Sequence, residues 1–119
     1  MIYDITPCPK PRMTRRDKWL KPPRPAVARY RAFKDEVRLK MPNDLDLNYS
    51  YIRFYIPVPK SWSKRKKAEV IRQQLHTGVP DLDNLLKALM DALYGSDSHI
   101  HTVFGVSKCW SEHGGIEIS

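Results

Sequence analysis

The chain has 119 residues, enough for one domain with a single modest core, a size at which a dimer interface would add useful burial. It is 41% hydrophobic and 29% charged, ordinary for a folded globular protein, which argues against wholesale disorder. Lys and Arg number 21 against 13 Asp and Glu, a net charge of +8, so a polyanionic partner is expected. No apolar run approaches the roughly 18 residues of a spanning helix, and the first residues lack the basic-then-apolar order of a signal peptide, so the expected location is the cytoplasm, with no membrane partner. Two cysteines make neither a disulfide framework nor a zinc site.

Ile2 to Thr6 alternates weakly and reads as a first strand, ended by Pro7, Pro9 and Pro11. A basic loop of about residues 7–25 follows, in which Lys10, Arg12, Arg15, Arg16, Lys18, Lys21 and Arg24 suit the backbone of a nucleic acid and Trp19 offers a ring. The loop is too polar and proline-rich to pack as a core element. Pro25 opens a helix to about Lys40, with Val27, Tyr30, Phe33, Val37 and Met41 on its buried stripe and Arg29, Arg31, Lys34 and Arg38 exposed. Tyr49 to Ile56 is aromatic and β-branched, which predicts a central strand. Ser61 is the expected cap of a second helix whose first turns carry Lys64, Arg65, Lys66 and Lys67, a cluster that opposes the helix dipole unless an anion sits nearby.

A third helix is predicted over Leu82–Leu93, and after Gly95 come extended stretches over Ile100–Val106 and Ser107–Trp110, then Ile116–Ile118. His99 and His101 alternate as on one strand face, but no third ligand stands at metal spacing. The order predicts a small single-domain α+β fold.

Charge divides the chain. From Lys10 to Lys40, twelve basic residues face three acidic ones, a net of +9; from His76 to Ser119, two basic residues face six acidic ones, a net of −4. Much of that negative charge surrounds one amphipathic helix. At 100° per residue, Leu82, Leu85, Leu86, Leu89 and Leu93 fall on one side, with Met90 at its margin, and are assigned to the core. Asn84, Lys87 and Asp91 fall on the other side, flanked by Asp83.

Asp81 stands where an N-cap belongs, and Asp83 is favoured near the positive helix end, so both have a structural reading. Their spacing has a chemical reading too, because neighbouring carboxylates repel unless a hard cation lies between them. Mg²⁺ takes oxygen ligands and is at home beside phosphates. Lys87, one turn on from Asp83, would pair with it or with a scissile phosphate, and Asp97 offers a further carboxylate. Carboxylates, a lysine and a basic surface together suggest metal-assisted phosphodiester hydrolysis.

The run Pro80-Asp81-Leu82-Asp83-Asn84-Leu85-Leu86-Lys87, followed by Asp91-Ala92-Leu93 and then Asp97 before Ile100, resembles the signature of the RusA family of Holliday junction resolvases, nucleases of bacteria and their prophages. The likeness extends in outline over nearly the whole chain and is specific in its central motif. It implies a RusA-like mixed β-sheet with two or three helices on one side. It also implies a homodimeric, Mg²⁺-dependent endonuclease, with Mn²⁺ as a substitute metal and no small-molecule cofactor. The enzyme would bind four-way junction DNA by structure and nick two opposing strands. Carried over residue by residue, Asp81, Asp83 and Asp97 become the essential carboxylates and metal ligands and Lys87 the essential lysine, with Asn84, Asp91 and Lys108 in supporting positions. Many members place two consecutive aspartates at the late position, where this chain has Ser96-Asp97. The alternative from another class is a branched-DNA-binding module of the same fold that does not cleave.

Overall fold

The computed structural model describes residues 1–73, 75–96 and 98–119. Its elements are β1 (Ile2–Tyr3), α1 (Pro25–Lys40), β2 (Ser50–Pro57), α2 (Lys64–Gln73), α3 (Leu82–Leu93), β3 (Val103–Ser111) and β4 (Gly115–Ile118), in the order that the sequence predicts. The strands form one mixed sheet in the order β1-β4-β2-β3. β2 and β3 run parallel, and the other two pairings are antiparallel.

Alternation along β2 sends Ile52, Phe54 and Ile56 to one face of the sheet, while Tyr51 and Arg53 stay exposed on the other. The buried face meets Tyr30, Phe33 and Val37 of α1 and Leu85, Ala88, Leu89 and Ala92 of α3, with Ile116 and Ile118 of β4 completing the core. Trp110 pairs with Ile56 in the parallel register, so it points to that same face, where its ring meets Trp62 just before α2 at 5.0 Å. Helices therefore cover one side of the sheet, as expected.

Several boundaries differ from the expectation. β1 ends at Tyr3, because the Ile5 amide turns back to the Tyr3 carbonyl (2.9 Å) and the Ile5 side chain drops fully into the core. The cap of α2 is Ser63, not Ser61: its hydroxyl accepts the Lys66 amide at 3.2 Å, while Trp62 turns back onto the Pro59 carbonyl and docks on Trp110. The two stretches on either side of Ser107 form one continuous strand, and it begins at Val103, so His99 and His101 precede it and do not share a strand face.

α3 spans the predicted residues but is rotated from the predicted facing. Leu85, Ala88, Leu89 and Ala92 form the buried stripe, whereas Leu82, Leu86, Met90 and Leu93 are only half-buried along its flank. The two alanines let α1 approach closely, so the core takes small residues that hydrophobicity alone did not single out.

The basic loop also departs from expectation, since part of it packs. Residues Arg15–Lys18 form a single 3₁₀ turn with the Asp17 side chain fully buried. Asp17 accepts bonds from Arg24 (2.6 and 2.7 Å), the Thr14 amide (2.7 Å) and the Thr14 hydroxyl (3.1 Å). The Arg24 bonds foremost, then the Thr14 amide, hold this carboxyl well below the usual carboxylate range. A buried charge persists only when paired and fully hydrogen-bonded, and this one organises the otherwise irregular chain before α1 around itself.

Candidate active site and nucleic-acid surface

α3 starts at Leu82 because Asp81 adopts an extended backbone (φ −68°, ψ 145°) at the N-cap position. The Asp81 carboxylate makes no capping hydrogen bond. The structural reading of this residue thus fails on geometry: it occupies the cap position without using its oxygens to cap. It lies on the rim of a groove of about 520 Å³ lined by Pro7, Pro9, Ile56, Pro57, Val79 and Asn84.

Asp83 lies in the first turn and is exposed. Its partner is Lys87, one turn along, at 3.9 Å, with both side chains more than 60% exposed. An i,i+4 pair this open and this long contributes under ~0.5 kcal/mol, so stability gives little reason for either charge. Asp81 and Asp83 thus lie exposed at the first end of α3, with Lys87 one turn in from Asp83. Asp97 lies outside the described residues. Among the described residues no three His, Cys, Asp or Glu side chains stand together as a metal cluster.

The supporting residues divide by role. Asn84 is half-buried, and its carbonyl accepts the Lys10 amide at 3.4 Å, which brings the start of the basic loop to the first turns of α3. Asp91 accepts bonds from Lys10 Nζ (2.7 Å) and the Tyr30 hydroxyl (2.8 Å). Burial works to raise its pKa, but the Lys10 and Tyr30 bonds override it and the net shift is downward. Tyr30 is pushed up by burial and by the same bond. Asp91 therefore anchors the loop and α1 to α3. Lys108 projects from β3 and donates to the carbonyls of Gly78 and Pro80 (2.7 Å for Pro80), immediately before Asp81.

The basic residues expected on a nucleic-acid surface fall into two groups. Lys10 and Arg24 are engaged with Asp91 and Asp17, so they hold the loop in shape. Arg12, Arg15, Arg16, Lys18 and Lys21 are exposed, as are Lys64, Arg65 and Lys66, with Lys67 half-buried; among the described residues none of these nine makes an ion pair. Lys66 lies 4.0 Å from the centroid of the Trp62 ring and Lys18 lies 5.7 Å from that of Trp19. The engaged pairs hold the loop so that the unpaired charges project from a defined backbone. Of the helix α1 charges predicted as exposed, Arg31 donates to the Asp17 carbonyl (3.3 Å) and Arg38 to the Ala92 carbonyl at the end of α3 (3.2 Å), where a cation suits the helix dipole.

Replacing Arg15 and Arg16 together by alanine is expected to flatten the dependence of log K for DNA on log salt by about 1.8, at roughly 0.9 for each phosphate no longer neutralised. Fluorescence-anisotropy titrations at several salt concentrations measure this slope, and an unaltered slope places the 3₁₀ turn away from the DNA.

None of Asp17, Tyr30 or Lys108 could be assigned these contacts from spacing, since the partners of the last two lie 28 to 61 residues away. Arg24 follows Asp17 by seven residues, a separation with no helical or strand meaning in a loop. No helix among the described residues is long and apolar enough to cross a membrane.

The family model described as Endodeoxyribonuclease RusA matches residues 3–119. No curated protein and no solved structure matches the chain. With essentially the whole chain matched, and with the motif that prompted the resemblance at the exposed-carboxylate end of α3, the protein belongs to the RusA family of Holliday junction resolvases and is an endodeoxyribonuclease acting on junction DNA.

Proposed function

We propose that the protein is a Mg²⁺-dependent, structure-selective homodimeric endonuclease that resolves four-way DNA junctions by paired nicks in opposing strands. The observation that carries this reading is the pair of exposed carboxylates, Asp81 and Asp83, at the positive end of α3, neither of them used in capping. Hard oxygen donors beside a basic surface fit Mg²⁺, and Mn²⁺ as a substitute, better than any softer metal. Asp81, Asp83 and Asp97 would hold the ion. When bound, it would polarise a phosphate oxygen and favour deprotonation of an attacking water.

The chain's own residues do the rest. Lys87, half-released because its pairing with Asp83 is weak, turns its ammonium to the phosphate and stabilises the charge that grows on the non-bridging oxygens. Arg15, Arg16, Lys18 and the α2 cluster bind the flanking backbones and fix the strand at the carboxylates, converting binding into orientation. Asp83 draws Lys87 toward the metal end of the helix, so phosphate and lysine are brought to one place.

The length of α3 supports a dimer. α3 has twelve residues, a length of about 18 Å. Its first end is tied to β3 through Lys108, and its last end is tied to the chain before β2 through the Tyr94 hydroxyl, which donates to the Leu45 carbonyl (2.6 Å) and accepts the Leu47 amide. Asp83 belongs to the first end, and Asp97 follows Tyr94 by three residues. Two copies of α3 packed antiparallel about a two-fold axis would bring the first end of one beside the last end of the other. The half-buried flank of Leu82, Leu86, Met90 and Leu93 supports this, together with an adjoining groove of about 420 Å³ that Ile100 and Val103 line.

A synthetic four-way junction labelled on each strand in turn tests the reading. With Mg²⁺, nicks are expected at symmetric positions on two opposing strands, and chelation abolishes them. Tight junction binding without nicks at any Mg²⁺ or Mn²⁺ concentration would assign the protein to a binding role alone.

A further inference from the structure

The connection from α2 to α3 must deliver Asp81 to a defined place, yet it contains Gly78 and an exposed Thr77 and Val79, which build no core of their own. What holds it is β3. Leu75 forms an antiparallel bridge with Cys109, and the His76 amide meets the Lys108 carbonyl at 3.4 Å. The His76 ring is 4% exposed and lies against Trp110 with centroids 4.2 Å apart, and Trp110 in turn lies against Trp62. Aromatic stacking thus seats the first part of the connection. Among the described residues, neither His76 ring nitrogen has a hydrogen-bond partner. Burial, and after it the Lys108 charge, keep the His76 pKa below its ordinary 6.5, so at neutral pH the ring adds no charge beside the lysine.

The second part of the connection is seated by Lys108. It stands in register with Phe54 on the helix-covered face of the sheet, and its ammonium donates to two carbonyls, those of Gly78 and Pro80. The Pro80 carbonyl belongs to the peptide whose nitrogen is that of Asp81, so holding this oxygen fixes the plane from which the Asp81 side chain departs. The Asp81 carboxylate does not do this for itself, since it caps nothing. Lysine suits the task because an ammonium carries three donors and no acceptor, and its bonds to carbonyls are charge-assisted.

We propose that Lys108 is a positioning residue for Asp81: by clamping the Gly78 and Pro80 carbonyls it sets the carboxylate where a divalent cation is bound, and touches neither the cation nor the DNA. The inference rests on reading Asp81 as a metal ligand. A group that orients a ligand through its backbone acts as an outer-shell partner does, and losing such a partner costs about 10- to 100-fold in metal affinity. Lys108→Met is therefore expected to raise the Mg²⁺ concentration for half-maximal junction cleavage by about tenfold or more. The rate at saturating Mg²⁺ is largely recovered, and junction affinity without metal is unchanged. Lys108→Arg, which keeps donors for both carbonyls, restores most of the metal response.

Amide hydrogen exchange gives a readout independent of catalysis, with residues 78–85 of Lys108→Met exchanging faster while β2 and β4 keep their protection. Unchanged exchange in this segment overturns the clamp, whatever the activity. A rate deficit that no Mg²⁺ concentration rescues, with exchange unaltered, overturns it in favour of direct action on the phosphate. Should Lys108→Met fail to fold, Lys108→Gln carries the same measurements. Asp81→Asn, assayed in parallel, separates the two layers: full cleavage with a normal Mg²⁺ response would remove Asp81 from the metal site, while the exchange result would still report on the clamp.

Discussion

Replacing Asp83 by asparagine is expected to lower junction cleavage by more than about a hundredfold while junction binding survives or tightens. The side chain is exposed and its ion-pair partner is Lys87, at 3.9 Å, so its removal leaves no buried group unsatisfied and no core disturbed. Stability should move by about 1 kcal/mol or less, the open ion pair and the helix dipole together. Catalysis, in contrast, loses a ligand oxygen for the cation and the carboxylate that keeps Lys87 near it. Binding improves because one negative charge no longer repels phosphate. Single-turnover cleavage, anisotropy binding without metal and a thermal melt are the three measurements. A lowered melt with lost binding would make Asp83 a structural residue.

Lys87→Ala follows the same logic and should reduce the cleavage rate much more than junction affinity. One exposed charge among many contributes little to a polyelectrolyte contact, whereas the transition state concentrates charge at one phosphate.

The second large effect is expected from a mixed dimer. Chains carrying Asp83→Asn and Asp97→Asn under different tags, co-expressed and purified through both, should regain nicking that neither parent possesses. In an antiparallel pair each site takes the first end of one α3 and the segment after the other. One site then collects both substitutions and the second keeps both carboxylates. Such a dimer nicks single strands but does not complete paired resolution, so the product is a nicked junction and not two linear duplexes. Were each site built within one chain, both sites would carry one lesion and the mixed dimer would be as inactive as its parents. The recovered rate should approach half that of the unmodified dimer, a difference that no change in fold stability imitates.

The bounds of α3 were legible because a helix is a local object. Pro80 before it, a leucine pattern at three- and four-residue spacing within it, and Gly95 after it are all encoded within one short stretch of chain. The same locality made Asp83 and Lys87 legible as neighbours, since one turn of helix sets their spacing whatever surrounds them, with Asp81 at the cap position just before. Charge partition was likewise readable, being a property of composition along the chain. Which side of α3 faces the core was not. Ala88 and Ala92 are buried and Leu82, Leu86 and Leu93 are not fully so, because the facing is decided by how closely α1 can approach, and that depends on two helices separated by β2 and α2.

The same limit explains the basic loop. Sequence identified its charges, but their division into Lys10 and Arg24, which hold the loop, and Arg15 and Arg16, which project from it, depends on a carboxylate buried in a turn and another on α3. Lys108 shows the limit most sharply. Nothing in residues near it marks it as the partner of Gly78 and Pro80, because that contact exists only once β3 has paired in parallel with β2 and the connection into α3 has been laid along its edge. Helical period and charge act over a few residues and can be read along the chain; the contacts that aim a carboxylate are made between segments that only the folded sheet brings together.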